Sequence, residues 1–484
     1  MIAVHCEKSR DEEVSKFAEL LGKYLEDMKL KVVFEDIEQG VSFGSFSLLI
    51  LTNTVYSTKF WGPFGILALS TKITESSLAS TFSYPPLFFH SLTLPISDLS
   101  QILPQNLLSQ IPSLPNYKTP NYNPGPLVPE PFNSNFKVNS STLICSQEDY
   151  HVLSISLATE DQYDPGCNLS LIPQNTESII SELFSFQAYP ESLIMSIPGL
   201  LGFEQGQDLM RIFKEHCDLT GLIRKPVLKQ LSQYCIERSK RDELESMLTL
   251  KGKEKFSALI ERKLLSVVEI MVEYKIYIPP GDLVQVLDRI KPRYYSVASD
   301  GPGNLEFVVQ SSVRGRHVGC FSRYAWDIYK VPEGHLKGEI KPSVFKLVPG
   351  PLLLISNGCG VAPFRGILSH ISKFPEGYPN TLLIAGFRSP DHFIYKSEIE
   401  SLVSSNPSIH MLVCYSRTGP KTYVQELITQ HEAQVSEILL IGSTFICGGT
   451  QMGKSVIDLL KTLNDKSSSD WNLTKTRVKC ETWG

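Results

Sequence analysis

The sequence lacks the patterns that mark several protein classes. Its ten cysteines, at positions 6, 145, 167, 217, 235, 320, 359, 414, 447 and 480, form no C-x-x-C pair. That removes the usual zinc-site and dithiol signatures and fits free thiols in a reducing compartment. No excess of positive charge is present, with 46 Lys plus Arg against 51 Asp plus Glu and a net charge of -5; a nucleic-acid polycation is excluded. Long apolar runs are missing too. Leu48–Leu51, Pro351–Ile355 and Ile438–Ile441 are strand-length, well short of the roughly 20 residues that span a bilayer. Met1–Cys6 is apolar but turns charged at Glu7, Lys8 and Arg10, without the ordered regions of a secretory signal. A cytoplasmic protein with no membrane span and no nucleic-acid partner is expected. There is no internal repeat. What is present is 484 residues, 42% hydrophobic and 20% charged, enough for roughly two to four packed domains.

The chain opens as βαβ. Met1–Cys6 reads as a strand, Asp11–Lys29 as a helix with Val14, Phe17, Ala18, Leu21 and Leu25 at helical spacing, and Leu30–Phe34 as a strand. Ser47–Thr52 supplies a third strand, after which periodicity is lost to about residue 100. The eight prolines from Pro104 to Pro131 sustain neither helix nor central sheet and mark a linker. Beyond it, Thr142–Cys145 and His151–Leu157 read as strands and Ser178–Phe186 as a helix. Within about 206–275, Gln207–Cys217, Arg224–Arg238 and Leu265–Tyr274 carry helical spacing. Tyr294–Ala298 and Leu305–Gln310 are strand-like. From residue 350, strands and helices alternate: Leu352–Ser356, Gly366–Phe374, Thr381–Phe387, Lys396–Val403, His410–Tyr415, Val424–Gln430, Ile438–Cys447 and Gly453–Leu463. That alternation predicts a parallel, doubly wound sheet.

Four segments could carry chemistry. Arg293-Tyr294-Tyr295-Ser296 puts a cation, an aromatic and a hydroxyl on one strand, able to hold a phosphate, stack on a ring and bind its edge, or simply to form barrel wall. Gly358-Cys359-Gly360-Val361-Ala362-Pro363 follows a strand and opens a helix, which suits a diphosphate at free amides or a tight turn without ligand. Ser416-Arg417 and Lys421-Thr422-Tyr423-Val424-Gln425, at a strand's C-terminal edge, suit a ribose phosphate beside an adenine, or a solvated loop. Gly448–Ser455 satisfies G-x-x-x-x-G-K-S/T. Read literally it is a triphosphate loop with Lys454 at its centre, but only 29 residues follow Ser455, too few for the rest of such a domain. No metal site is indicated.

Together, from about residue 140 to 484, these segments resemble the reductase half of the NADPH-dependent diflavin reductases, in the ferredoxin-NADP reductase superfamily. Arg293-Tyr294-Tyr295-Ser296 is similar to the family's R-x-Y-S, whose arginine meets the FAD pyrophosphate, whose tyrosine packs on the isoalloxazine and whose serine faces N5. Gly319-Cys320-Phe321-Ser322 resembles its G-x-C-S segment, with the cysteine one place early. Gly358–Arg365 is similar to G-T-G-V-A-P-F-R, with Cys359 in place of threonine and Pro363 retained. Ser416-Arg417 and Lys421–Gln425 match the S-R and K-x-Y-V-Q segments that select the 2′-phosphate of NADPH. Cys447-Gly448 matches the C-G beside the nicotinamide, and Glu481-Thr482-Trp483 the terminal acid-x-Trp. Tyr163-Asp164-Pro165-Gly166 resembles a Y-x-P-G-D turn without its aspartate.

The resemblance implies a multidomain α/β plus β-barrel protein. Its parts are a truncated, degenerate flavodoxin-like α/β region at 1–100, a Pro-rich linker at 101–135 and an FAD-binding antiparallel barrel at 136–346 with a helical connecting insertion at about 206–275. A doubly wound NADP-binding domain follows at 347–484. It implies FAD and NADPH as cofactors. Ser296, Cys447 and Glu481 would line the hydride path, Trp483 would gate it, and a one-electron acceptor protein of iron-sulfur, haem or flavodoxin type would receive the electrons. The closest flavour is the reductase of cytosolic iron-sulfur cluster assembly.

The front of the chain departs from the family. Its first phosphate loop reads Cys6–Glu13 with four carboxylates and no glycine, which repels a phosphate dianion. The second, Thr52–Thr58, keeps hydroxyls but no glycine. FMN is therefore not expected to bind. The alternatives are a full diflavin reductase with a divergent FMN site, or a noncatalytic interaction protein that retains the fold.

Overall fold

The computed structural model of the chain describes residues 2–6, 32–36, 46–51, 64–68, 89–91, 134–147, 150–187, 189, 194–195, 207–235, 237–259, 265–278, 280–312, 318–332 and 334–483. Two compact units result. One holds Met1–Pro129, Gln174–Ile290 and Gly315–His317, and the other Glu130–Pro173, Lys291–Arg314 and Val318–Gly484.

In the first unit, β1 (Ile2–Cys6), β2 (Val32–Asp36), β3 (Phe46–Leu51), β4 (Phe64–Ala68) and β5 (Phe89–Ser91) form a parallel sheet in the order β2-β1-β3-β4-β5. This is the flavodoxin-like strand order. β4 and β5 add two strands to the β-α-β-β read from the sequence; a parallel strand such as FGILA is a short apolar run with no alternation to detect. The expected helix over 11–29, the first candidate phosphate loop beyond Cys6, all of the second and nearly all of the linker lie outside the described residues.

The same unit contains α1 (Glu177–Gln187), α2 (Leu209–Glu215), α3 (Lys225–Ser232), α4 (Arg238–Leu248), α5 (Lys253–Ser257), α6 (Val267–Glu273) and α7 (Pro280–Val286). Phe213, Leu228, Leu231, Val268, Ile270 and Leu283 are fully buried in its core. α6 starts at a capping box in which Glu269 N–H donates to Ser266 Oγ at 3.3 Å and Ser266 N–H to Glu269 Oε2 at 2.8 Å. The single helix expected over Arg224–Arg238 is instead α3, a turn, and the start of α4. The break arises because Cys235 pairs with Ile276 in an isolated β-bridge.

In the second unit, β6 (Ser134–Gln147), β7 (Tyr150–Thr159), β8 (Asn168–Leu171), β9 (Arg293–Ser296), β10 (Gly303–Ser312) and β11 (His335–Lys341) form an antiparallel sheet in the order β9-β8-β11-β6-β7-β10. A bridge from Val297 to Phe307 brings its two edges together as a barrel. Irregularities at Val138/Ser140 and Leu143/Cys145 bend β6, so its first residues pair with β11 and the rest with β7. Leu153, Ile155 and Leu157 alternate into the barrel core beside Leu305, Phe307 and Val309. α8 (Cys320–Lys330) packs Phe321, Ala325 and Ile328 on that core.

The C-terminal part is the doubly wound sheet that the alternation predicts: β12 (Leu352–Asn357), α9 (Ala362–Lys373), β13 (Thr381–Phe387), α10 (Lys396–Ser405), β14 (Ile409–Tyr415), α11 (Val424–Gln430), α12 (Glu432–Ile441), β15 (Ser443–Gly449), α13 (Thr450–Lys466) and β16 (Val478–Trp483). All strands are parallel in the order β14-β13-β12-β15-β16. Both faces are covered. Leu352 and Leu354 enter one core, and Leu353 and Ile355 the other.

One expectation is corrected. Ile438–Cys447 is not one strand, because Ile438–Ile441 ends α12, where Val435, Ile438 and Leu439 are buried at helical spacing. Gly442 makes the break: a Cβ there would lie 2.2 Å from Pro351 O.

Candidate active site

The most connected polar cluster joins the barrel to the edge of the parallel sheet. Glu481 lies on β16 opposite Cys447 of β15, and Ser296 lies on β9 opposite Asn168 of β8. Ser296 Oγ donates to Glu481 Oε2 at 3.0 Å, and Asn168 Nδ2 donates to Oε1 at 2.6 Å. Burial pushes the Glu481 carboxyl above the usual carboxylate range, while bonds from Asn168, Ser296 and the Val344 backbone pull it down. Cys447 is fully buried. Burial first, then the Glu481 charge, hold its thiol well above the usual range, so it stays a neutral S–H. Hydroxyl, thiol and carboxylate, placed 151 and 34 residues apart in the chain, thus lie together in space. Asn168 was missed. Its only signal was its place directly after the altered Y-x-P-G-D turn.

The R-x-Y-S residues divide by face. Tyr295 is half-buried, 5.1 Å from Phe307 and 4.7 Å from Phe321 between ring centroids, while Tyr294 is 66% exposed. Arg293 Nη1 donates to Lys291 O at 2.8 Å. Gly319 is the N-cap of α8, so Gly319-Cys320-Phe321-Ser322 is a helix start and not a free turn. Its N-cap residue is a glycine with no side chain to cap with, and a Cβ there would meet nothing within 4 Å among the described residues. A helix N-terminus, a cation, a hydroxyl and an exposed aromatic are the groups that a flavin diphosphate and ring need. The residues fit FAD.

A cavity of about 820 Å³ opens at the C-terminal ends of the parallel strands. Strand order reverses between β12 and β15, which is where such sheets bind ligands. Asn357, Gly358 and Cys359 line it from the turn after β12, Ser416 and Thr422–Gln425 from the loop after β14, and Gly449 and Trp483 from the ends of β15 and β16. Gly358 has φ +54°, and a Cβ at Gly360 would lie 2.0 Å from Cys447 O, so the turn approaches β15 more closely than any side chain permits. Pro363 sits in the first turn of α9, where no N–H is missed. The Cys359 thiol lies 3.5 Å from Tyr150 OH and is pushed up to about 12 by burial. This site fits a dinucleotide.

Arg417 and Lys421 do not line the cavity. Both are exposed on the loop that supplies its wall, with Lys421 Nζ 5.2 Å from the Tyr423 ring centre. Arg388 and His392, just beyond β13, line the cavity and were not singled out from the sequence, although the C-terminal ends of parallel strands are the expected place for such residues. Trp483 is 43% exposed at the cavity's edge. The triphosphate-loop match falls away on geometry: α13 begins at Thr450, so Thr450–Ser455 is helical and cannot wrap phosphates, and Lys454 is exposed outside the cavity. No group of three or more metal-ligating side chains occurs among the described residues.

Two family models match the chain: the FAD binding domain over residues 130–308 and the oxidoreductase NAD-binding domain over residues 354–458. Among similar curated proteins is the NADPH-cytochrome P450 reductase of Dictyostelium discoideum, 26% identical over 353 residues, covering 66% of this chain and 52% of that protein. The NADPH-cytochrome P450 reductase of Musca domestica is 27% identical over 346 residues, covering 64% and 51%. The bifunctional cytochrome P450/NADPH-P450 reductase 2 of Bacillus subtilis is 22% identical over 336 residues, covering 63% and 31%. The chain spans about half the length of the first two. The chain thus carries an FAD-binding domain followed by an oxidoreductase NAD-binding domain and is similar across both to NADPH-cytochrome P450 reductases, which supports the resemblance to the reductase half of the NADPH-dependent diflavin reductases.

Proposed function

We propose that this chain is an NADPH-dependent, FAD-containing reductase that delivers single electrons to a protein acceptor. The observation that carries the reading is the meeting of Ser296, Cys447 and Glu481 where the barrel and the parallel sheet join. The chemistry the two cofactors supply when bound is hydride transfer from nicotinamide C4 to flavin N5, followed by one-electron release. The protein orients and shields. Arg293, Tyr294, Tyr295, Ser296 and the α8 start from Gly319 to Ser322 would hold FAD. Gly358, Cys359, Gly360 and Pro363 would hold the NADPH diphosphate. Ser416, Arg417, Lys421, Thr422, Tyr423, Val424 and Gln425 would hold its phosphorylated ribose and adenine. Glu481 places its carboxyl, raised by burial and held down by its donors, beside the neutral Cys447 thiol, and Trp483 stands at the edge of the cavity.

The domain division proposed is 1–100, 101–135, 136–346 and 347–484. The acceptor is proposed to be a haem, iron-sulfur or flavodoxin-type protein. K-x-Y-V-Q and the E-T-W ending favour the iron-sulfur assembly branch. A cytoplasmic location is supported by the nine cysteines from Cys145 to Cys480, all of them free. No helix among the described residues is long and apolar enough to cross a membrane. A second reading, a diflavin relay with a divergent FMN site, is favoured by the flavodoxin-like order of β1–β5. Heat release and separate quantification of FAD and FMN decides between them. FAD alone near one per chain supports the first reading, comparable FMN the second, and a colourless protein that does not reduce ferricyanide with NADPH removes both.

A further inference from the structure

The turn Tyr163-Asp164-Pro165-Gly166 runs into β8 through Cys167, where the family pattern has an aspartate, and then Asn168. We propose that Asn168 is a positioning residue that holds the Glu481 carboxylate in the orientation in which Ser296 also binds it. The catalytic consequence rests on the reductase reading above; the contact itself rests on geometry.

Asn168 and Ser296 are directly opposite on adjacent antiparallel strands, so their side chains share a face of the barrel. Each donates to a different oxygen of the same carboxylate, Asn168 at 2.6 Å and Ser296 at 3.0 Å. Two donors from one rigid strand pair fix the plane of the carboxylate. An ionised carboxylate only accepts, so the amide must present its nitrogen.

The other titratable groups around Glu481 leave this task to Asn168. Cys447 stands opposite on β15 with its thiol neutral, and Cys480 precedes Glu481 on β16 with its thiol raised by burial and then by Glu481. Cys167 is buried, its thiol pushed up to about 12 by burial first and by Asp164 second. Lys341, opposite Asn168 on β11, has its ammonium 2.6 Å from Glu339. An aspartate at 167 or 168 would set a second carboxylate near Glu481, and two carboxylates sharing a site cannot both ionise easily. A neutral thiol followed by an amide donor removes that conflict.

The test is a carboxyl titration of the full-length chain labelled with ¹³C at glutamate Cδ, with Glu481 assigned from the signal lost in Glu481→Gln. Asn168→Ala is expected to raise the Glu481 midpoint by about one pH unit, the effect of one charge-assisted hydrogen bond. Asn168→Asp, which is isosteric, is expected to raise it further. In the FAD-loaded protein, the acid limb of NADPH-dependent flavin reduction moves by the same amount in Asn168→Ala. Adding Asn168→Ala to Glu481→Gln slows the reaction no further. An unchanged midpoint in both Asn168 variants overturns the proposal, as does equal slowing in both backgrounds. If the wild-type chain shows no NADPH-dependent flavin reduction, the reductase reading fails while the titration still decides the contact.

Discussion

Arg365 ties α9 to the barrel through a largely buried ion pair, and its removal can be worked through in numbers. Its Nη1 donates to Glu306 Oε2 of β10 at 2.7 Å and to Ala298 O at 3.2 Å, its Nε donates to Glu398 Oε2 at 2.7 Å, and the guanidinium lies 4.4 Å from the Tyr395 ring centre. Three terms compete. The Glu398 arm is small, because that carboxylate is 52% exposed and exposed pairs contribute about 1 kcal/mol or less. Stacking on Tyr395 adds about 0.5–1 kcal/mol. The Glu306 arm dominates, with the two side chains only 18% and 17% exposed; leaving one partner of a buried pair alone costs about 3–5 kcal/mol.

Arg365→Ala should therefore destabilise this junction by about 3 kcal/mol, at the low end because neither group is fully dry. That corresponds to roughly 150-fold more frequent local opening. Hydrogen exchange read by mass spectrometry on peptides covering β10 and α9 measures it without assuming that the whole chain unfolds in one step. Glu306→Gln in the same background should recover at least half, because it discharges the orphaned carboxylate. A less than fivefold rise in exchange, or no recovery in the double variant, would refute the assignment of this pair as the dominant tie.

Three further outcomes are expected. Burial pushes the Glu306 carboxyl up, but donors from Ser154, Arg365 and Tyr395 outweigh it and hold the group below its usual value. Its stabilising contribution is then full above the unfolded value of about 4.3 and is lost as pH falls through the lower folded value. Acid-induced exchange at β10 should accordingly lose its steepness below about pH 4 in Glu306→Gln. Arg417→Ser combined with Lys421→Ala should raise the KM for NADPH at least about tenfold while leaving that for NADH nearly unchanged; equal effects on both cofactors would sink the 2′-phosphate assignment. Gly360→Ala places a Cβ 2.0 Å from Cys447 O, a backbone atom with no room to yield. It should cost about 1–3 kcal/mol and lower NADPH-dependent ferricyanide reduction, and wild-type behaviour in thermal melts and turnover would contradict the close approach of turn and strand.

The legibility of these features in the sequence follows their range along the chain. β13 and α11 were read to the residue, because hydrophobic runs of the right length are bounded by turn residues on each side. Ile438–Cys447 was misread because an apolar run at the end of a helix looks like the strand that follows, and only the clash that Gly442 avoids separates them. β4 and β5 escape the sequence because FGILA and FHS are short and lie in a Ser, Thr, Pro and Phe mixture without the bounded apolar run and following helical spacing that mark β13. At the site, motif order singles out Ser296, Cys447 and Glu481 as expectations, whereas the contacts of Asn168 and Arg365 join neighbours distant in sequence.

Of the departures from the family pattern at the site, the one at 167 removes a charge, while the one at 359 exchanges one neutral group for another. Cys359 stands where a threonine is usual and Cys167 where an aspartate is usual, and burial pushes both thiols up to about 12. Both are therefore uncharged at neutral pH, as is Cys447, which stands opposite the Glu481 carboxyl on the neighbouring strand. The one ionisable group left at the junction with hydrogen bonds from two barrel side chains is Glu481. Charge that a second carboxylate would have split over two sites is concentrated on one, and its position is set by neutral donors that do not titrate with it. A flavoprotein built this way should show a single acid-limb transition in hydride transfer, because one carboxylate controls the local charge. Two separated transitions near the acid limb would mean that another group shares the control, and the cysteine-for-aspartate exchange at 167 would then have no electrostatic consequence.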